Sequence, residues 1–247
     1  MSEVRKPARE MTAALRSEFG DALESVVLFG SVPRGEAVAG VSDLNLLVIL
    51  DDLSGPRLIQ AAPLVQDWIR AGNTPPHLYS AREWEGMRDT FTIELADMGD
   101  AREVLLGRDP VDEGGVSFRH LRLHAEQEVR ETLLHLRLRL LLSAHDGRDV
   151  ARLLMAGMPS FVAYMRAALR LIGESPGLRS GEVIRKISER MGIAPDPMIT
   201  CWEVRRDRLP LHITLDDPML AQYLEWVQGL VEFLDRLPEN TGTEDLP

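Results

Sequence analysis

The clearest pattern of hydrophobic and polar positions lies between Val26 and Leu50. Two short apolar runs, at 26–29 and 44–50, flank a polar middle that contains Gly and Pro. Short apolar runs bounded by Gly or Asp are typical of buried strands. Asp43 and Asn45 alternate with leucines at the start of the second run, so their side chains share one face of that strand. Because buried polar groups are costly without partners, this pair marks either a functional site or a strand start that faces water.

Hydrophobic periodicity along the first half of the chain predicts alternating strands and helices. Helices are expected at 8–19, 56–71 and, as a short element, 99–106. Strands are expected near 25–29, 43–50 and 91–97, with a short edge strand at 77–79. In the run Ile93-Glu94-Leu95, alternation with apolar neighbours places Glu94 on the strand at 91–97.

A stretch rich in Gly, Pro and acidic residues at 108–115 interrupts all periodicity and indicates a domain boundary. Beyond it the pattern is helical only, with helices expected at 117–144, 149–172, 180–191, 197–208 and 218–237. The predicted fold class is therefore α+β: a mixed sheet flanked by helices, followed by an all-α bundle. The expected domains are 1–110 and 116–238, and the polar tail at 239–247 is expected to be disordered.

Composition restricts the possible partners. The 247-residue chain has a net charge of −11, which argues against a large nucleic-acid footprint, since such binding needs Lys and Arg against phosphates. No apolar run approaches the roughly 20 residues of a membrane helix, and the N-terminus has no apolar signal core. One cysteine, Cys201, excludes an internal disulfide and fits a reducing compartment, so a cytoplasmic location is expected. Beside Trp202, it is interpreted as a small buried hydrophobe rather than a nucleophile.

Two sequence motifs resemble those of the nucleotidyltransferase superfamily, which includes DNA polymerase beta. Gly30 and Ser31 follow the first strand, and Asp43-Leu44-Asn45 opens the second after eleven intervening residues. The stretch GSVPRGEA at 30–37 is similar to the superfamily's turn and short helix, and GVSD at 40–43 is similar to its approach to the second strand. The resemblance implies a nucleotidyltransferase-like sheet, and helical bundles often accompany such cores.

The resemblance also implies roles for particular residues. Gly30 and Ser31 would grip nucleotide phosphate, and Arg34 could reach phosphate, although an exposed ion pair is the alternative for Arg34. Asp43 and Glu94 would be the catalytic carboxylates. Asp43, Asn45 and Glu94 would be the Mg²⁺ ligands, with Glu94 arriving from the strand at 91–97. The substrates would be an NTP and an unidentified hydroxyl acceptor, and the sequence leaves the oligomeric state open.

Asn45 departs from the superfamily pattern, which has a carboxylate at that position. An amide oxygen can coordinate Mg²⁺, but it carries no charge and holds two dications poorly. Three interpretations therefore remain open. The first is Mg²⁺-dependent transfer of a nucleoside monophosphate from an NTP to a hydroxyl of a small molecule or protein. The second is a catalytically inactive nucleotide-binding or regulatory protein, and the third is an antitoxin-like interaction module.

Overall fold

The fold divides into two compact units. The computed structural model describes residues 2–37, 43–87, 89–111, 116–143, 146–177, 179–238 and 245–246. Unit 1 contains the chain up to Phe91 and the segment Leu95–Val116. Unit 2 contains Thr92–Glu94 and almost everything from Ser117 onward.

The described parts of the chain contain eleven α-helices, one short 3₁₀ helix (Gly20–Ala22) and six strands. The strands are β1 (Leu23–Phe29), β2 (Asn45–Leu50), β3 (His77–Ser80), β4 (Arg102–Gly107), β5 (Val116–Ser117) and β6 (Asp245–Leu246). The helices before β5 are α1 (Ser2–Phe19), α2 (Ser31–Arg34), α3 (Gly55–Arg70), α4 (Ala81–Gly86) and α5 (Thr92–Asp100). The helices after it are α6 (Phe118–Ser143), α7 (Gly147–Ala156), α8 (Met158–Leu171), α9 (Ser180–Met191), α10 (Asp196–Asp207) and α11 (Pro218–Asp235).

The sheet of unit 1 has the strand order β3-β2-β1-β4. β1 pairs antiparallel with β2 and β4, whereas β2 and β3 are parallel. Side chains alternate between the two faces, so each face has its own core. Leu28 and Leu46 pack with α1 and α3 on one face, and Val27 and Leu47 pack with residues of α4 and α5 on the other. The expected mixed sheet and the pairing of its first two main strands are confirmed.

Two elements between residues 91 and 107 differ from the sequence-based expectation. The segment expected as a strand at 91–97 is helix α5, and the segment expected as a short helix at 99–106 forms strand β4. Buried residues of α5 recur at the i, i+3 spacing of a helix. The pairs are Ile93 with Ala96 and Leu95 with Met98. A short apolar run is compatible with both the strand period and the helix period, so the alternation around Glu94 led to the wrong prediction. In β4, pairing with β1 outweighs the helical propensity of Glu and Leu.

The helical part of the chain follows the predicted pattern closely. Asp217 caps α11 by accepting a hydrogen bond from the Met219 N–H at 2.9 Å, and Pro218 opens the helix, as the sequence predicts. The helix expected at 149–172 is instead two helices that meet at Gly157, because Pro159 in the first turn of α8 lacks the N–H that a continuous helix requires. The tail at 239–247 falls outside the described residues except for β6.

Unit 2 is held together by a buried aromatic core. Trp226, Tyr223 and Phe161 are fully buried, and the Trp226 indole donates a 2.8 Å hydrogen bond to the Ser188 hydroxyl. Cys201 lies in this core with no exposed surface, and burial raises the pKa of its thiol to about 12. The interpretation of Cys201 as a buried hydrophobe is confirmed. Within the described residues, every helix is too short or too polar to cross a bilayer.

The Leu28→Ala substitution tests how strongly the sheet core stabilises unit 1. Leu28 has no exposed surface, and its side chain packs from β1 against residues of α1 and α3. We expect the substitution to lower the free energy of unfolding by about 2–5 kcal/mol, because it removes buried methyl groups and leaves a cavity. Urea unfolding, monitored by circular dichroism, measures this loss of stability. Leu141→Ala, at a side chain that is 77% exposed, is the matched control and should change stability by about 0.5 kcal/mol or less. Equal effects would contradict the burial assigned to Leu28.

Candidate functional site

The turn after β1 has a backbone conformation that suits glycine alone. Gly30 has φ 88° and ψ −140°, and its N–H donates to the Ala101 carbonyl at 3.2 Å. A Cβ at this position would lie 2.9 Å from Nδ2 of Asn45, closer than real Cβ contacts. The positive φ therefore favours Gly at position 30, and a side chain there would also displace the Asn45 amide. This contact places the turn and the start of β2 side by side.

The short helix α2 continues the turn and carries Ser31. The Arg34 N–H donates to the Gly30 carbonyl at 3.2 Å, and the Glu36 N–H donates to the Ser31 carbonyl at 2.9 Å. Val32 is buried and anchors this turn to the core, whereas Ser31 is partly exposed. The hydroxyl of Ser31 thus lies on a rigid turn with access to solvent.

Asp43 and Asn45 lie at the edge of the sheet where β2 begins. Asn45 pairs with Phe29, the last residue of β1, so the start of β2 lies beside the Gly30 turn. Between the two polar residues, Leu44 is buried at 4% exposure, while Asp43 is exposed. The polar residues therefore alternate with the core as the sequence predicted. The motif residues at 40–42 lie outside the described residues.

Arg34 makes a buried ion pair rather than a surface one. Its side chain is 6% exposed, and its guanidinium donates to the Asp97 carboxylate at 2.9 Å and to the Asp97 carbonyl at 3.3 Å. The second terminal nitrogen, Nη1, is buried without a hydrogen-bond partner. This geometry ties α2 to α5 and gives Arg34 a positioning role. A phosphate contact by Arg34 stays a prediction.

Glu94 does not lie on a strand next to β2, which corrects the sequence-based expectation. It is an exposed residue in the first turn of α5 and is counted with unit 2. There it lies near Tyr164: burial raises the pKa of this phenol, and the negative charges of Glu128 and Glu94 raise it further. The convergence of Glu94 with Asp43 and Asn45 stays a prediction.

The strands that neighbour β2 supply no replacement acid at this edge. β3 has the sequence HLYS and contains no carboxylate. The one acid of β1, Glu24, lies toward the opposite end of the strand, and its carboxylate is 3.7 Å from the Arg108 guanidinium. Continuing the β2–β3 register back by two residues from His77 would place Pro75 beside Asn45. Within the described strands, Asn45 therefore has no carboxylate partner on either side.

The donor set at the start of β2 is one carboxylate and one amide, whose chemistry suits at most a single magnesium ion. Across the described residues, no three His, Cys, Asp or Glu side chains come together as a metal site. Magnesium is commonly held by one or two carboxylates together with substrate phosphates and water. The Asp43 carboxylate and the Asn45 amide oxygen meet that requirement for a single ion. They do not form a protein cage for two ions.

Sequence reasoning missed one residue at this edge, His77. It begins β3, and its ring packs against Phe29 in a T-shaped arrangement with centroids 5.5 Å apart. Nothing in the sequence marks His77, because only the parallel register of β2 and β3 brings the start of β3 beside the start of β2.

Comparison with known structures identifies the fold. The chain is similar to the crystal structure of spectinomycin adenyltransferase AAD(9) from Enterococcus faecialis with ATP and spectinomycin, at 12% identity and a TM-score of 0.60, covering 94% of this chain and 99% of that one. Two toxin–antitoxin structures, one with AMP-PNP and one a MntA-HpeT mutant, match 42% of this chain and 77% of theirs at 21% and 20% identity, with a low TM-score of 0.29. No family model and no curated protein matches the sequence.

The chain therefore has the same fold as this adenyltransferase, a mixed sheet flanked by helices and followed by a helical C-terminal part. The resemblance inferred from Gly30, Ser31 and Asp43 is therefore confirmed at the level of the fold.

Removing either partner of the Arg34–Asp97 pair should destabilise unit 1. Breaking a buried pair costs about 3–5 kcal/mol, because the remaining charge loses the compensation that its partner provided. Arg34 is 6% exposed and Asp97 is 25% exposed, so Asp97→Ala, which strands the more buried charge, should cost more than Arg34→Met. Thermal and urea unfolding of both variants measure the difference. Arg70→Met, at an ion pair in which both side chains are 70% exposed, is the control and should have little effect. The opposite order would contradict this account.

Proposed function

We propose that this protein binds a nucleoside triphosphate with Mg²⁺ and transfers the nucleoside monophosphate to a hydroxyl group of a small molecule or a protein. The observation that carries the proposal is the similarity to an adenyltransferase over 94% of this chain, a span that includes the helical part. That structure contains ATP and the small molecule spectinomycin. Spectinomycin is therefore the first acceptor to test, alongside other hydroxyl compounds and proteins.

The residues at the sheet edge have complementary roles in this proposal. The backbone N–H groups after Gly30 and the Ser31 hydroxyl donate to phosphate oxygens. Asp43 and Asn45 hold a magnesium ion, which neutralises phosphate charge when it is bound. The acceptor oxygen forms a bond to the α-phosphorus, the bond from that phosphorus to the bridging oxygen breaks, and pyrophosphate leaves. The ionised carboxylate of Glu94 is proposed as the general base that takes the proton of the acceptor hydroxyl.

A second candidate is a nucleotide-binding protein without transfer activity. Asn45 favours this candidate, because it lowers the negative charge available for metal ions, and neither neighbouring strand supplies a replacement acid. Both candidates require binding of an NTP, and only the first requires release of pyrophosphate. An assay for pyrophosphate with each NTP and a panel of hydroxyl acceptors separates them.

Ser31→Ala should weaken the binding of Mg·ATP by about 1 kcal/mol, which is roughly fivefold in Kd, because it removes one hydrogen bond to phosphate. Isothermal titration calorimetry measures the change. Ser17→Ala, at an exposed position of α1, is the matched control and should leave Kd unchanged. If Ser31→Ala binds Mg·ATP as tightly as the wild type, the phosphate site is not at this turn.

The Asn45→Asp substitution distinguishes two interpretations of Asn45. In one, the amide impairs the enzyme; in the other, the enzyme is adapted to work with it. A carboxylate is the better ligand for Mg²⁺, so the variant should bind the metal more tightly and should release pyrophosphate faster. Melting temperatures with and without Mg²⁺ report metal binding, since a ligand stabilises the state that binds it.

Gln127→Glu is the matched control for Asn45→Asp, since it adds the same charge at an exposed position of α6. Activity in the wild type with no gain from the Asn45→Asp substitution would show that Asn is the working residue. A variant that melts lower and gains no metal binding would mean that the amide is structural and would contradict the proposed site.

A further inference from the structure

We propose that His77 is a nucleotide-binding residue and that its imidazole donates a hydrogen bond to a phosphate oxygen of the NTP. The inference rests on the proposed function, because it assigns one more residue to the same nucleotide site. It follows from three geometric facts about the edge of the sheet.

The first fact is the strand direction. β1 ends where β2 begins, because the two strands are antiparallel, and β3 begins at the same edge, because it is parallel to β2. The Gly30 turn, Asn45 and His77 therefore all lie at one edge of unit 1. A ligand phosphate held by the turn lies at this edge.

The second fact is the shared face. His77 pairs with Leu47, and Leu47 is two residues after Asn45, so the side chains of His77 and Asn45 point to the same side of the sheet. Strand spacing places their Cα atoms about 8 Å apart, since neighbouring strands are about 4.8 Å apart and two residues advance about 6.6 Å. Side chains that leave the same face at this Cα separation can both contact one ligand group.

The third fact is the contact with Phe29. The ring of Phe29, which is paired with Asn45 across the strands, meets the imidazole in a T-shaped arrangement at 5.5 Å. The contact bridges β1 and β3 across the face of β2 and fixes the position of the imidazole. Both rings are only partly buried, so ligand can reach this position.

The charges at this edge favour an imidazole contact to an anion. Among the described residues placed at this edge, Asp43 supplies one negative charge and Asn45 supplies none. The Arg34–Asp97 pair between α2 and α5 is internally neutral, and Tyr79 on the same face of β3 packs against Trp84. A triphosphate at this edge therefore meets less negative charge than a set of three acids would present, and its binding should depend less on Mg²⁺.

The proposal is tested by comparing the wild type with His77→Asn. Calorimetry measures ATP binding by each protein at pH 6 and pH 8, in EDTA and in Mg²⁺. An imidazole changes charge between about pH 5 and pH 8, so a phosphate contact to it strengthens at low pH. In EDTA, lowering the pH from 8 to 6 should improve the affinity of the wild type about tenfold more than that of the variant. The comparison between proteins cancels the titration of the phosphates of ATP itself. His135→Asn, at an exposed position of α6, is the matched control and should behave like the wild type.

Nuclear magnetic resonance of the wild-type protein provides a measurement that does not depend on His77→Asn folding. Six imidazole signals are expected, and Phe29→Leu identifies that of His77, because loss of the ring 5.5 Å away shifts it. ATP in EDTA should raise the pKa measured for this imidazole and leave that of His135 unchanged. An unchanged His77 titration, or an equal pH effect in His77→Asn, overturns the inference while the proposed function stands. No binding of ATP in any condition overturns both.

Discussion

The antiparallel pairing of β1 and β2 is the constraint on which the candidate site depends. The pairing of Phe29 with Asn45 brings the Gly30 turn against the first residue of β2. The fit is close enough that a Cβ at position 30 would meet the Asn45 amide at 2.9 Å. A shift of one residue in this register would turn Asn45 to the other face, among the leucines that pack against α1 and α3. The apolar side chains that are buried on both faces of the sheet prevent such a shift.

Helix α5 extends this constraint beyond the two strands. The Ala101 carbonyl, at the end of α5, accepts the Gly30 N–H, and Asp97 in the same helix holds the Arg34 guanidinium. The turn is thus fixed by a strand on one side and by a helix on the other. A phosphate-binding turn needs such rigidity, because backbone donors help a ligand only if they already point toward it.

The proposed site combines the Gly30 turn with few acidic side chains. Gly30 and Ser31 form the turn, Asn45 is neutral, and β3 begins with His77 rather than with a carboxylate. Weaker attraction for metal ions and weaker repulsion of phosphate have the same cause, which is the loss of negative charge at this edge. Under the proposed function, nucleotide binding and nucleotidyl transfer would therefore respond differently to the charge at position 45.

The sequence by itself determined the elements whose signals are local. The strands around Gly30 and Asp43 and the capping of α11 by Asp217 could be predicted, because alternation, glycine turns and caps are short-range. Only the tertiary structure decided the rest. The apolar run around Glu94 fits a strand or a helix, and its packing under the sheet selects the helix. The position of His77 depends on a parallel pairing between two strands that helix α3 separates along the chain, which no local pattern encodes.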